Sequence, residues 1–348
     1  MSLVEAQPHK TISYTSTATC VGRSSKQPSL HRFYRYKIYS GANSQSDQSV
    51  PHLYCPDPSL VTNTMNAINN LIFDIGTHNG EDAKFYIHKG FRVIAIDANP
   101  EIIEINKAAF AKEIAEDKII FLNYAIGAIS GAELEIYTNA DSAQSSVFKH
   151  VGSRNGEAEK VYKVKTKSLD DLFDIYGIPY YCKIDIEGYD PFAISGINSD
   201  KKPLYISAES ECTSLYDDPH NESKVLDSLK ALHKLGYKKF KLIDQTTLIP
   251  LDFNNFYAIR AGLLHKFRRA LEKRLKIYSR AVSHHEWLAK RFAYPFVYDS
   301  SGPFGMDMEC EGAWMDYERA KKLYLYNRRQ LFKLGKNSSM WADWHATY

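Results

Sequence analysis

From residue 67 onward, short apolar segments alternate with segments of helical spacing for about 190 residues. The runs NLIFDIG and FRVIAIDANP are typical of buried strands, and each precedes a stretch whose apolar residues repeat with the period of a helix. Such alternation predicts a mostly parallel sheet with helices on both faces and right-handed crossovers. We therefore expect an α/β domain over residues 67–260, in which KKFKLID and FYAIR complete the sheet.

The segments on either side of this domain differ from it in composition. Residues 1–66 are rich in Ser and Thr and nearly free of acids, which predicts a poorly ordered extension or one draped over the domain. An organelle transit peptide in residues 1–50 is the alternative. Residues 261–348 are expected to form a C-terminal helical extension. Its basic part, 265–291, is either a solvated helix or a lid or surface for an acidic partner.

Charge and cysteine content exclude several classes of protein. The formal net charge is only +3, so global charge indicates no partner. No apolar run approaches the roughly 20 residues of a membrane span, and no secretory signal follows Met1. We expect a cytoplasmic location. A disulfide framework or zinc ribbon is not indicated by the five scattered cysteines, which are Cys20, Cys55, Cys182, Cys212 and Cys310.

Polar residues follow several of the predicted strands. In a parallel α/β sheet, ligands bind beyond the carboxyl ends of the strands, near the point where the strand order reverses. The candidate site residues are therefore those at the strand ends: Asp74 to Gly80, Asp97, Asn123, Asp185 to Gly188, and Glu209 to Glu211.

The turn after the first strand, DIGTHNG at residues 74–80, limits the choice of cofactor. His78 stands where a dinucleotide fingerprint needs its second glycine, and Glu81 stands where a phosphate-binding loop needs Lys. Glu81 and Asp82 also place negative charge at the helix start, which disfavours a pyrophosphate. We therefore expect a cationic cofactor without phosphates but with a ribose, such as S-adenosylmethionine. Asp97 can accept both ribose hydroxyls, a role it would share with NAD enzymes.

Five motifs follow one another in an order and spacing that resemble the FkbM family of S-adenosylmethionine-dependent methyltransferases. They are FDIGTHNGEDA, AIDANP, FLNYAIG, the SLDDL at residues 168–172 and KIDIEGYD. The resemblance covers residues 70 to about 245, and SSGPFG and WADWHA in the tail are similar to segments of a subgroup. It implies a Rossmann-like class I methyltransferase fold, with a seven-stranded, mostly parallel sheet and helices on both faces.

The resemblance also implies roles for individual residues. Asp74, Gly76 and Gly80 would line the methionine part of the cofactor, Asp97 the ribose, and residues 123–125 the adenine. Asp185 would lie beside the ammonium group and the reacting centre. His78 is not expected to be catalytic. The full set of expected cofactor-binding residues is Asp74, Gly76, Thr77, Gly80, Asp97, Ala98, Asn123, Tyr124, Ala125 and Asp185.

Acceptors in the resembled family are mostly hydroxyl groups of sugars and polyketides, and a hydroxyl needs a base or a metal because its pKa is high. Asp185 and Glu187 are two residues apart, as are Glu209 and Glu211, so each pair would share one face of a strand that continues through it. The expected catalytic residues are Asp185, Glu187 and Glu209. A divalent cation held by these carboxylates, a purely structural role, and His220 as the base remain alternatives.

The function expected from the sequence is O-methylation of a hydroxyl on a sugar, polyketide or similar small molecule, with S-adenosyl-L-methionine as cofactor and no nucleic-acid partner. The alternative is an RNA or peptide methyltransferase, acting on nitrogen or oxygen, that contacts its partner through the basic helix. A binding module that has lost its chemistry is a third interpretation. The intact Asp74, Gly76, Gly80, Asp97 and Asp185 argue against it.

Overall fold

The computed structural model of the protein describes residues 70–138, 146–147, 160–210, 224–245, 247–253, 280–296, 300–310, 312–333 and 341–348. Several predictions fall outside these ranges. They concern the N-terminal extension, the segment FYAIR, most of the basic helix, Glu211 and His220.

Eleven strands lie in the described part of the chain. They are β1 Leu71–Ile75, β2 Arg92–Asp97, β3 Ile119–Asn123, β4 Ala125–Ile126, β5 Glu133–Thr138, β6 Lys160–Lys167, β7 Tyr181–Ile184, β8 Tyr205–Glu209, β9 Lys239–Asp244, β10 Ile249–Pro250 and β11 Ala342–Thr347.

The main sheet has the order β10-β9-β11-β8-β7-β1-β2-β3, and a small second sheet has the order β4-β6-β5. Neighbouring strands from β3 through β2, β1 and β7 to β8 are parallel, whereas β11 runs antiparallel to both β8 and β9. The prediction of a mostly parallel sheet is confirmed. The main sheet contains eight described strands instead of the expected seven, because the two-residue β10 adds a hairpin to β9.

Eight α-helices accompany the strands in the described ranges. They are α1 Glu81–His88, α2 Pro100–Ala109, α3 Ala111–Ala115, α4 Leu169–Tyr176, α5 Asp190–Ser195, α6 Asp227–Lys234, α7 Arg280–Phe292 and α8 Tyr317–Lys333. Short 3-10 helices occur at Ser199–Lys201, Lys224–Leu226 and Gly305–Cys310. No helix in the described ranges is apolar and long enough to cross a membrane.

The motif SLDDL begins α4. The Ser168 hydroxyl accepts the main-chain N–H of Asp171 at 3.2 Å, which caps the helix. Asp170 forms an ion pair with Lys201 at 3.2 Å, and the Ser130 hydroxyl donates to the Asp171 carboxylate. These contacts of the motif therefore fix the start of α4, which packs on one face of the main sheet.

Both faces of the main sheet are covered, as the sequence predicts. On one face, α4, α5, α6 and α8 pack against alternate strand residues such as Phe73 and Ile94. On the other face, α1, α2 and side chains of residues 292–296 and 304–306 pack against Ile72 and Val93. Phe304 lies parallel to the ring of Tyr181, with 5.0 Å between ring centroids.

Strand β11 comes from the far end of the chain. The expected helical extension, residues 261–348, supplies α7 and α8 and also this strand, so the segment is not wholly helical. All six residues of β11 are buried, including the polar Asp343 and His345, so its alternation ADWHAT does not mark one buried and one solvated face. The domain boundary at residue 260 stays a prediction.

Candidate active site

The loop after β1 joins three strand ends. The main-chain N–H of Gly76 donates to the carbonyl of Ile96, at 2.8 Å, and the N–H of Asp185 donates to the carbonyl of Ile75, at 3.0 Å. Gly76 has φ +77°, a conformation that L side chains rarely adopt. The carboxyl ends of β1, β2 and β7 therefore meet at this loop, as expected for the site edge of a parallel sheet.

Asp97 ends β2 with its carboxylate held on one side by main-chain amides. One oxygen accepts the N–H of His78 at 3.1 Å, and the other accepts the N–H of Asn99 at 2.8 Å. The side chain is half-buried, and this desolvation raises the pKa of Asp97 despite those two hydrogen bonds. Each carboxylate oxygen can accept one further hydrogen bond from a ligand.

Asn123 lies directly beside Asp97, since the two residues are partners in the β2–β3 register. Its amide nitrogen donates to the carbonyls of Asp97 and Ala98, each at 3.0 Å. Tyr124 is partly exposed, with the Lys167 ammonium 6.0 Å from its ring centroid. Ala125 is buried and pairs with Thr166 of the small sheet. The structure thus brings the residues expected near the adenine to the edge beside Asp97.

Lys183, in the middle of β7, is a buried lysine that the sequence interpretation missed. Its ammonium lies 3.1 Å from Asp82, 3.5 Å from Asp74 and 3.6 Å from Asp185. Burial alone would lower the pKa of Lys183, but these three carboxylates outweigh it and raise the pKa well above its usual value. A lysine inside the apolar run YYCKI is the sequence signal that points to it, because an unpaired buried charge is costly.

Asp74 and Asp185 occupy different environments around this lysine. Asp74 is fully buried and accepts the hydroxyl of Thr77 at 2.9 Å. Burial raises the pKa of Asp74, and the Lys183 ammonium opposes that rise. The side chain of Asp185 is 31% exposed, so it faces the open edge. Of these two, Asp185 is the carboxylate within reach of a ligand.

Glu187 lies in a turn and not on a strand. Strand β7 ends at Ile184, and the turn from Ile186 to Tyr189 has Glu187 at φ +53° and Gly188 at φ +87°. Asp185 and Glu187 would share a strand face only if the strand continued through both, and it does not, because two consecutive left-handed residues end the extended backbone. The Ser146 hydroxyl donates to the Glu187 carbonyl at 3.1 Å and fixes this turn.

Glu209 ends β8, beside the end of β7. Its side chain is buried, and its main-chain N–H donates to the Asp190 carboxylate at 3.0 Å. Glu209 is also the direct partner of Asp343 in the antiparallel β8–β11 pair. Two of the three expected catalytic carboxylates, Asp185 and Glu209, thus stand at the ends of adjacent parallel strands.

Asp190 and Asp343 are two further carboxylates that sequence reasoning did not select. Burial, reinforced by Asp185, raises the pKa of Asp190 to about 8. Burial and Asp185 also raise the pKa of Asp343, which accepts the Gln245 amide at 2.7 Å. Asp190 could have been found as the last acid of KIDIEGYD. Asp343 lies in WADWHA, whose apolar and polar alternation is a signal for the strand that was not predicted.

Within the described ranges, no group of three or more His, Cys, Asp or Glu side chains is arranged to hold a metal ion. The carboxylates at this edge instead surround the Lys183 ammonium or accept amide N–H groups. This arrangement can bind a cationic ligand with hydroxyl groups and can take up a proton.

Two solved structures with similarity to the chain are methyltransferases. Methyltransferase FkbM from Methylobacillus flagellatus KT is 18% identical, with a TM-score of 0.29, and the similarity covers 44% of this chain and 36% of that one. Precorrin-6y C5,15-methyltransferase from Geobacter metallireducens GS-15 is 10% identical, with a TM-score of 0.29, covering 53% of this chain and 71% of that one. A comparison with curated proteins gives no match.

The comparison with protein families identifies the part of the chain that carries the site. The matching family is described as the methyltransferase FkbM domain, and the match extends from residue 74 to residue 238. It begins at the Asp74 loop and includes Asp97, Lys183 and Glu209. Residues 74–238 of this chain thus match the model of the methyltransferase FkbM domain.

Proposed function

We propose that the chain is an S-adenosylmethionine-dependent methyltransferase that acts on a hydroxyl group of a small molecule such as a sugar or polyketide. One observation carries this proposal. The partly exposed carboxylates of Asp97 and Asp185 lie at the ends of β2 and β7, on either side of the Gly76 loop.

The chemistry of these residues fits the proposed cofactor. S-adenosylmethionine supplies a methyl group on a positively charged sulfur. Asp97 has one acceptor position left on each oxygen for the two ribose hydroxyls, and the partly exposed Asp185 would face the ammonium group. The first turn of α1 carries Glu81 and Asp82 where a phosphate would need positive charge, so the edge suits a ligand without phosphates.

Lys183 is part of the charge balance at this site. It is surrounded by three carboxylates and supplies one positive charge, so the carboxylates outnumber the cations at this point of the sheet. Such an excess attracts a cationic ligand, most strongly where water is excluded. We assign Asp74, Asp82 and Lys183 the role of holding the loop and Asp185 in place, since the first three side chains are buried.

The acceptor would lie over the ends of β7 and β8. Most of the rate would come from holding the acceptor oxygen in line with the methyl group, an effect of up to about 7 to 11 kcal/mol. The hydroxyl proton must leave as the new carbon–oxygen bond forms. Asp185, Glu187 and Glu209 are the candidates to receive it, and a positioned base contributes roughly 100- to 10,000-fold.

The test is transfer of a labelled methyl group from S-adenosylmethionine to a panel of sugars, polyketides, peptides and RNA. The proposal predicts label in hydroxyl-bearing small molecules and none with an Asp185→Asn variant, while Asp200→Asn, a change at an exposed aspartate, retains activity. Label only in RNA or peptide would establish the alternative acceptor class. The absence of transfer to any class by folded protein would overturn the proposal.

A further inference from the structure

Asp190 links the turn after β7 to the end of β8. It is the first residue of α5, three positions after Glu187, and it is completely buried. Oxygen Oδ1 accepts the main-chain N–H of Glu209 at 3.0 Å. Oxygen Oδ2 is buried and has no hydrogen-bond partner among the residues that the structure describes. The carboxyl group therefore lies between the two strand ends that carry Asp185 and Glu209.

Charged groups near this point come from four elements, one of which is β11, where Asp343 is the register partner of Glu209. The end of β7 carries Asp185, the largest electrostatic influence on Asp190, and β8 carries Glu209. Helix α6 carries Asp227 and Lys230, which pair with each other at 3.2 Å and are 41% and 38% exposed. Burial raises the pKa of Asp190 to about 8, Asp185 adds to this rise, and main-chain amides oppose it.

We propose that Asp190 is a positioning residue that works in its protonated form, in which it holds the end of β8 against the β7 turn while Asp185 keeps its negative charge. This inference rests on the proposed function for its consequence in methyl transfer. A neutral Asp190 accepts the Glu209 amide without placing a buried negative charge beside the Asp185 carboxylate. Ionisation of Asp190 would add that charge at a position closed to water.

Because the pKa of Asp190 is raised, its contribution to stability decreases as the pH rises. The folded-state pKa of about 8 lies above the ordinary aspartate value of 3.8. Between these two values the folded chain holds a proton that the unfolded chain has released. The contribution of Asp190 to stability is therefore fully present below pH 4 and is lost as the pH rises toward 8, by about tenfold in the folding equilibrium constant per pH unit.

The test compares wild type, Asp190→Asn and Asp190→Ala, with Asp200→Asn as a matched control at an exposed aspartate. Denaturant unfolding of the cofactor-free protein is measured from pH 5 to pH 9. Relative to that of Asp190→Asn, the folding equilibrium constants of wild type and the control should fall as the pH rises. The fall should be about tenfold per pH unit up to pH 8. The alanine variant should be weakened at every pH, because the Glu209 amide then lacks its acceptor.

Methyl transfer supplies the second measurement. Wild-type turnover should fall above pH 8, whereas Asp190→Asn, which keeps the shape and the acceptor oxygen, should retain turnover there. Parallel stability curves for wild type and Asp190→Asn at all pH values would overturn the proposal. A stability difference without any methyl transfer would contradict the proposed function and still support the protonated Asp190.

A further variant keeps the inference testable if Asp190→Asn does not fold. Asp185→Asn removes the neighbouring charge, so the pKa of Asp190 should fall and the pH-dependent loss of stability should move to lower pH. An unchanged pH dependence in Asp185→Asn would contradict the proposal.

Discussion

The main-chain oxygen of Asp185 lies 1.8 Å from the position that a β-carbon on Gly76 would occupy. The loop after β1 and the end of β7 therefore touch through their backbones, and only glycine leaves room for this contact. The same contact brings Asp185 to the loop whose His78 N–H donates to the Asp97 carboxylate.

Replacement of Gly76 by alanine should disrupt this contact and the fold around it. The change adds both the positive-φ strain and a collision with backbone that cannot move aside. We expect a loss of more than about 3 kcal/mol in the free energy of unfolding, measured by denaturant titration. Gly90 is the matched control, because it has φ +87° but open space around its β-carbon position. Gly90→Ala should cost only about 1 to 2 kcal/mol, and equal losses for the two variants would refute the close approach.

Loss of the Lys183 charge should be strongly destabilising. Lys183→Met leaves Asp74, Asp82 and Asp185 without their shared cation, and breaking a buried ion pair by removing one partner costs about 3 to 5 kcal/mol. The control is Lys84→Met, since Lys84 pairs with Glu81 at the surface, where such pairs contribute about 1 kcal/mol or less. Chemical denaturation of both variants measures the difference. A small loss for Lys183→Met would mean that the carboxylates are already neutral.

The terminal strand should be essential to the fold. Trp344 is 1% exposed and lies in β11, between β8 and β9. Trp344→Ala should lower the free energy of unfolding by about 3 to 5 kcal/mol. Trp341, three residues earlier and 38% exposed, is the control, and its replacement by alanine should cost about 0.5 kcal/mol. Similar stability of the two variants would contradict the central position of β11.

Replacement of Glu187 and replacement of Asp185 should have different effects on cofactor affinity and turnover. If Glu187 is the base, Glu187→Gln leaves cofactor affinity nearly intact and lowers turnover by about 100-fold or more. Asp185→Asn should lower both cofactor affinity and turnover, because it removes charge beside the cationic cofactor. Calorimetry and turnover measurements separate the two variants. Wild-type turnover in folded Glu187→Gln would remove it as the base and leave Asp185 or Glu209.

The sequence predicts those parts of the site whose structure is determined by residues close together in the chain. Strands β1, β2 and β3 are short apolar runs, and Asp74, Asp97 and Asn123 lie at or near their ends because the strand period and the following turn are encoded nearby. The glycine turn after β1 was predicted for the same reason. Positive φ at Gly76 and Gly80 is a property of those few residues.

The parts that the sequence does not predict depend on residues far apart in the chain. Lys183 is stable inside the sheet only because Asp74 and Asp82, about a hundred positions earlier, face it. Strand β11 alternates apolar and polar residues, but its place between β8 and β9 depends on pairing with distant strands, and it is buried on both faces. The left-handed conformation of Glu187 is not predicted from the sequence, because a glutamate with positive φ is uncommon.

The most direct test of the account is cofactor binding by calorimetry, with S-adenosylmethionine and NAD titrated separately into wild type, Asp97→Ala and the surface control Asp200→Ala. The account predicts that wild type and Asp200→Ala bind S-adenosylmethionine in the absence of magnesium. Asp97→Ala should weaken that binding by about 1.5 to 3 kcal/mol, because it loses hydrogen bonds to a charged acceptor. Tighter binding of NAD than of S-adenosylmethionine, or unchanged affinity in folded Asp97→Ala, would contradict the account.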